Sequence, residues 1–219
     1  MKLESLIDAP RRKLLLLALC LPVLAGCFGA AAVGVGAGAL VLTDRRPPET
    51  YITDQGIELR AGNRVEEKYR DKVHVNVTSY NRMLLLTGEA PSAEIKADIE
   101  KLASTVPGVK SISNELAIAG PSSLGGRSND VYITSKVKAR FVDANKFAPN
   151  HVKVVTEAGV VFLLGIVTQG EANDAVDIAR TTGGVQKVVR VFEIIGAEQA
   201  KALDNKPAPA PEPKPATAK

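Results

Sequence analysis

Tryptophan is absent from this 219-residue chain, and aromatic residues make up only 4% of it. A core without large rings rests on Val, Leu, Ile and Ala, which favours mixed helix–strand modules over a sandwich built around aromatic anchors. Cysteine occurs twice, at Cys20 and Cys27, and histidine twice, at His74 and His151. Neither histidine has a cysteine or a second histidine at ligand spacing, so no local metal motif is present. No nucleophile elbow or Ser-His-Asp order is visible, and Gly34, Gly36 and Gly38 lack the strand–turn–helix context of a phosphate loop. The expectation is no catalytic residue, no metal ligand and no cofactor. Charge is equally unpolarised. Of the formal +4, a net +2 falls within the first 26 residues, where Lys2, Arg11, Arg12 and Lys13 stand against Glu4 and Asp8. What remains is too mild for the basic stripe of a nucleic-acid binder.

The N-terminus reads as an address. Arg11-Arg12-Lys13, an apolar run over residues 14–24 and the small residues Ala25-Gly26 follow the order of a secretory signal peptide covering residues 1–26. That run is about 11 residues, against the ~20 that a membrane span needs. Leu24-Ala25-Gly26-Cys27 resembles a bacterial lipobox, which implies cleavage before Cys27 and diacylation of its thiol. Cys20 then leaves with the leader, so no disulfide can form. Phe28, where an Asp would imply inner-membrane retention, implies transfer to the periplasmic face of the outer membrane. Two acyl chains, each contributing ~0.8 kcal/mol per buried CH₂, anchor the chain without help from its folded part. Residues 27–50 read as a Gly/Ala-rich lipidated segment followed by a polar linker over 43–50.

Beyond residue 50 the chain writes one pattern of about seventy residues twice. His74-Val75-Asn76-Val77 matches His151-Val152-Lys153-Val154, and Leu85-Leu86-Thr87-Gly88 matches Phe162-Leu163-Leu164-Gly165. Gly108-Val109 matches Gly184-Val185. In the first copy Thr53-Asp54 caps a helix whose Ile57, Ala61, Val65 and Tyr69 share one face. Val73, Val75 and Val77 alternate with polar residues as a half-buried strand, Tyr80-Asn81-Arg82 turns, and Met83 to Gly88 returns. Pro91-Ser92 opens a second helix with Ile95, Ile99, Leu102 and Val106 inward, and 109–119 is the last strand. The second copy repeats the order, with Asn129-Asp130 capping a helix that turns Ile133, Val137 and Phe141 inward. Units this small bury only around 60% of their unfolded surface, so the two copies should pack together or lean on other support.

The order αββαβ, the Val-x-Val strand, the Leu-Leu-x-Gly ending and the Gly-Val before the last strand resemble BON domains. Two such units behind a lipobox resemble the dual BON-domain outer-membrane lipoproteins. The fold class is then α+β, two tandem αββαβ domains, each a mixed three-stranded sheet with two helices. The boundaries are 51–119 and 128–196, with a linker at 120–127 and a Pro/Ala-rich disordered tail at 197–219. Gly88 and Gly165 end strands, where close backbone packing explains them better than a ligand does.

The first helix of the second copy is the candidate binding element. With Ile133, Val137 and Phe141 inward, the ~100° step sends Val131, Tyr132, Ser135, Ala139 and Val142 to other faces, and Lys136 and Arg140 flank Tyr132. An aromatic among small apolar neighbours and cations suits a helix that dips into a headgroup layer, where each cation contributes about 1 kcal/mol. The resemblance implies anionic phospholipids, phosphatidylglycerol or cardiolipin, as the partner, with Val131, Tyr132, Ser135, Lys136, Ala139 and Arg140 as contacts. It also implies a role in envelope integrity at the division site. The competing expectation is a non-enzymatic scaffold that binds an outer-membrane assembly complex or peptidoglycan. The opening helix of the first copy, balanced in charge, is expected to pack against the second copy as its support.

Overall fold

A computed structural model describes residues 44–120 and 122–205. The signal peptide, Cys27, the Gly/Ala-rich segment and the Pro-rich end of the tail lie outside the described residues. The described elements run α1 (Pro48–Tyr69), β1 (His74–Tyr80), β2 (Met83–Ala90), α2 (Ala93–Ser104), β3 (Ser111–Asn114) and β4 (Ala117–Ile118) in the first repeat. The second repeat contains α3 (Leu124–Ala144), β5 (Val152–Glu157), β6 (Val160–Val167), α4 (Gln169–Arg180) and β7 (Lys187–Ile194), followed by α5 (Ala197–Asp204). No described helix is long and apolar enough to cross a membrane.

Each repeat is an antiparallel hairpin with a parallel strand added to its second member. β1 pairs with β2, and β2 with β3 and then β4. β5 pairs with β6, and β6 with β7. The last strand of the first repeat, expected as one piece, breaks between Asn114 and Ala117, where the buried Leu116 turns into the core. Both second helices start at a side-chain cap: Ser92 accepts from the Ile95 amide, and Thr168 forms a reciprocal capping box with Glu171.

The apolar β2 and β6 have no solvent face. Leu84, Leu86 and Ala90 pack beneath α1 and α2 with Ile57, Ala61, Val65, Ile99 and Ala103. Val161, Leu163 and Val167 pack beneath α3 and α4 with Ile133, Val137, Phe141, Ala175 and Ala179. The alternate residues, Leu85 on one side and Phe162, Leu164 and Ile166 on the other, meet in a third core with Tyr80, Val191, Ile195 and Ala200. Strands buried on both faces read as continuous apolar runs, as these do. The support between repeats therefore comes from sheet packed on sheet. α1, expected to supply it, adds the Glu58–Lys153 ion pair at 2.8 Å and leaves Ile52 and Leu59 exposed.

Both hairpins turn through residues at positive φ, Asn81 and Arg82 in one and Ala158 and Gly159 in the other. Arg82 and Ala158 are costly in that region. A buried aspartate offsets the cost in each repeat. Asp54 accepts from the amides of Asn81 and Arg82 at 2.8 and 2.7 Å, and Asp130 from those of Ala158 and Gly159 at 2.9 and 2.8 Å. These two residues were expected as helix caps. The helices instead begin earlier, at Pro48 and at Leu124 behind the Ser123 cap, and both aspartates sit mid-helix facing the turn. Asx residues suit a cap and a turn clamp alike, and tertiary demand decides between them.

Two expected linkers and the start of the expected tail hold ordered structure. Residues 43–50 were read as solvated, yet Arg45 and Arg46 are buried, and α1 has begun by Pro48. Residues 124–127 of the 120–127 linker are the first turn of α3. The tail expected from residue 197 opens with α5, which buries Ala200 in the shared core. In each case the apolar signal was too short to stand out beside polar or Gly-rich composition.

Candidate functional site

Along α3 the outward positions between Leu124 and Val142 carry no carboxylate. Leu124, Val131, Tyr132 and Val142 are 80%, 68%, 62% and 61% exposed, and the small Ser128, Ser135 and Ala139 lie between them, also exposed. The ridge is one continuous apolar and small surface opposite the buried Ile133, Val137 and Phe141. α3 thus has apolar residues on two opposite sides, and only one of them faces a core.

The cations beside this ridge divide into two kinds. Arg140 Nη1 donates to the Ile178 carbonyl and to Thr182 Oγ1, both at 2.8 Å, closing the C-terminal end of α4. The first repeat makes the same contact: Arg64 Nη1 donates to the Leu102 carbonyl and Thr105 Oγ1 at the end of α2. Arg140 is therefore a structural cap that both copies carry. Lys136 donates to the Gly183 carbonyl and lies 4.5 Å above the Tyr132 ring, so it holds the ring against the helix. Lys138, which the sequence reading passed over, is exposed and makes no ion pair among the described residues. The exposed Leu124 was missed because it was assigned to a linker.

Behind the other flank of α3 lies a cavity of about 550 Å³ lined by His74, Asn76, Arg127, Asp130, Lys138 and Glu157 among others. Its inner end is a cluster drawn from both repeats. His74 stands directly opposite Glu89 across the β1–β2 ladder, with Nδ1 2.9 Å from one Glu89 oxygen and 3.8 Å from a Glu157 oxygen. Asn76 donates to Glu157 at 2.7 Å, and the Ser122 amide to Glu89 at 3.0 Å. Burial pushes the Glu157 carboxyl above its ordinary range, and the charges of Glu89 and Asp130 add to the rise, against the hydrogen bond from Asn76 and the charge of His74.

His151 occupies the matching place in the second repeat and has a different company. Its ring nitrogens lie 3.6 Å from Glu171 and 3.5 Å from Asp204. Arg45 lies between those carboxylates, reaching Glu171 at 2.8 Å and Asp204 at 2.7 Å and donating to the Ile166 carbonyl at 2.9 Å. Burial alone would raise the Glu171 carboxyl, but hydrogen bonds from Arg45 and Thr168 and the charge of Arg45 bring it down to about 2. Burial and the Arg45 charge push His151 below its usual value. The backbone of each histidine lies against a glycine of the neighbouring strand. A Cβ on Gly88 would overlap the His74 carbonyl oxygen and one on Gly165 that of His151, so the close backbone packing expected at these glycines is present.

Residues 53–120 and 129–196 each match the BON domain. The chain is 38% identical over 189 residues to the outer membrane lipoprotein DolP of Haemophilus influenzae, covering 85% of this chain and 98% of that protein. It is 30% identical to a 21 kDa hemolysin of Actinobacillus pleuropneumoniae over 69% of this chain and 79% of that protein. It is also 32% identical to the osmotically inducible protein Y of Escherichia coli, over 52% of this chain and 58% of that protein.

Proposed function

Since the chain belongs to the BON domain family and is a dual-domain outer-membrane lipoprotein within it, we propose that its second BON domain binds anionic phospholipid through the outer ridge of α3. Binding there supports envelope integrity and places the protein at the division site. The observation that carries the reading is the exposed ridge Leu124–Val131–Tyr132–Val142, unpartnered among the described residues, on a helix whose opposite side is already packed. Burying apolar side chains of this size to headgroup depth contributes about 1.5–3 kcal/mol each at full burial. Lys138 beside the ridge adds about 1 kcal/mol at an anionic surface. Ser128, Ser135 and Ala139 let the helix lie close, and the Lys136 ammonium over Tyr132 keeps that ring amphipathic.

The acyl anchor already holds the protein on the membrane, so this ridge selects lipid composition and does not set residence. The test uses residues 43–219 without the lipidated cysteine, which keeps Arg45 and Arg46 in their buried pairs. Cosedimentation with vesicles containing phosphatidylglycerol or cardiolipin is compared with neutral vesicles. Selective binding by the wild type, lost in Tyr132→Ala and weakened in Lys138→Glu, supports the reading. Equal or absent binding to both surfaces overturns it and turns attention to an outer-membrane assembly complex or peptidoglycan as the partner of the ridge.

A further inference from the structure

The two histidine clusters differ in one respect that chemistry makes specific. In the second repeat, the two carboxylates beside His151 are joined by a cation that the protein supplies, the guanidinium of Arg45. In the first, His74 faces Glu89 and Glu157, which are 5% and 7% exposed. The described donors that reach those carboxylates are His74, Asn76 and the Ser122 amide, and none is a lysine or arginine. Two carboxylates withdrawn from water are relieved by a cation or by taking up a proton, and a single imidazole supplies at most one positive charge.

We infer that His74, Glu89 and Glu157 form a binding site for a divalent transition-metal cation, best matched by Zn²⁺, that joins the two BON domains. One ring nitrogen of His74 and one oxygen from each glutamate already lie within 4.8 Å of one another. Zinc takes nitrogen and carboxylate oxygen at ~2.0–2.2 Å, which spaces tetrahedral ligand atoms about 3.4 Å apart. The 3.8 Å between His74 and Glu157 closes to that spacing with small side-chain rotations. An imidazole among the donors selects against Mg²⁺ and Ca²⁺, which prefer all-oxygen shells. Three protein ligands leave a fourth position, and the cavity lined by His74 and Glu157 gives water a place to fill it and the ion a path to enter.

The site spans the interface. His74 and Glu89 belong to β1 and β2, whereas Glu157 ends β5 beside the turn held by Asp130 of α3. Sequence spacing hides it, because the ligands come from three strands and two repeats.

The experiment titrates Zn²⁺ into the chelator-treated full-length lipoprotein, purified in detergent without a histidine tag, with Mg²⁺ and Ca²⁺ as comparison ions. Saturable one-to-one binding of Zn²⁺, weakened at least about 10-fold in both His74→Ala and Glu157→Gln, is the expected result. His151→Ala should bind as the wild type does. Far-UV circular dichroism checks that each variant is folded. Co²⁺ added to the unaltered protein gives a second readout, an intense visible spectrum of low-coordinate nitrogen and oxygen ligation. Failure of Zn²⁺ to saturate, equal binding by the variants, or a Co²⁺ spectrum like that of the free aqueous ion overturns the inference.

Discussion

The two BON repeats share a scaffold and spend their outer surfaces differently. Asp54 and Asp130 clamp their hairpin turns in the same way, and Arg64 and Arg140 close the same helix end. Around those common contacts the first repeat adds Arg46, which pairs with Asp54 at 2.9 Å and stacks 4.1 Å from the Tyr80 ring. The second adds an apolar ridge to α3; α1 exposes Ile52 and Leu59 but carries Gln55, Gly56, Asn63 and Glu66 where α3 has Val131, Tyr132, Ala139 and Val142. Features present in both copies are what the fold requires, and features present in one are where function has room. By that standard Arg140 belongs to the fold and Tyr132 to the function.

The comparison is broken most strongly at the aspartates. Asp54 is fully buried and accepts from Ser79, Asn81, Arg82 and Arg46. Asp54→Ala should cost about 4 kcal/mol, because it leaves two turn amides and the Ser79 hydroxyl unpaired and takes from the buried Arg46 one of the two carboxylates that hold it. Asp130→Ala, with two amides to lose, should cost about half as much. Urea unfolding of the two variants side by side measures the difference. Equal losses would mean that the Arg46–Asp54 pair adds nothing to the first repeat.

Neighbours on β6 separate the repeat's own core from the shared one. Leu163→Ala and Leu164→Ala should each cost about 3 kcal/mol, as both side chains are fully buried. Only Leu164 faces the other repeat, so its variant should unfold in two steps where the wild type and Leu163→Ala unfold in one. Calorimetry resolves the steps. One shared transition in both variants would show that the domains stay coupled without the Leu164 side chain.

Acid sharpens the contrast between the histidine clusters. Glu171 is held at about 2 in the folded chain against an ordinary 4.5, and Asp204 is lowered in the same direction, chiefly by its hydrogen bond to Arg45. A depressed carboxyl contributes stability above its unfolded value and loses it as pH falls through the folded one. The window therefore runs from pH 4.5 down to about 2, with a loss of about 1–2 kcal/mol from Glu171 after solvent screening. His151, lowered by burial and the Arg45 charge, works in the same sense: the unfolded chain gains a proton below its ordinary 6.5 more readily than the folded chain does. Arg45→Met should flatten the carboxylate part of the curve, which pH-dependent urea midpoints would reveal.

The smallest effect separates cap from reader. Arg64→Gln and Arg140→Gln should each cost about 1 kcal/mol in stability, the net worth of the hydrogen bonds lost. Arg140→Gln should leave vesicle binding within about twofold, since its guanidinium is already occupied. A tenfold loss of vesicle binding in Arg140→Gln would return that residue to the lipid contact.

Periodicity made the repeated αββαβ order legible, because β2 and β6 are buried on both faces and the helices carry apolar residues at spacing four. The same reasoning found Val131 and Tyr132, whose exposure follows from the helical step once Ile133 is turned inward. It failed where one residue type serves two geometries. Asp54 and Asp130 look like caps, and only the turns folding back across α1 and α3 make them clamps. It failed also at the chain's described ends, where Arg45 and α5 owe their order to partners more than 120 positions away. The His74 cluster was invisible for the same reason: a strand pair brings Glu89 close, but Glu157 arrives from another domain.

The pairing of Arg45 with Asp204 closes a loop of 159 residues. Contacts so distant along the chain form late in folding, because they repay their closure entropy only after intervening structure is in place. The guanidinium has no burial site until β6, α4 and α5 have assembled, and its nearest carboxylates come from the second repeat and from the helix that follows it. The segment at Arg45 and the C-terminal helix thus act as a latch on the finished pair of domains. A chain interrupted before α5 loses the Asp204 half of that latch and leaves Arg45 held by Glu171 and the Ile166 carbonyl alone.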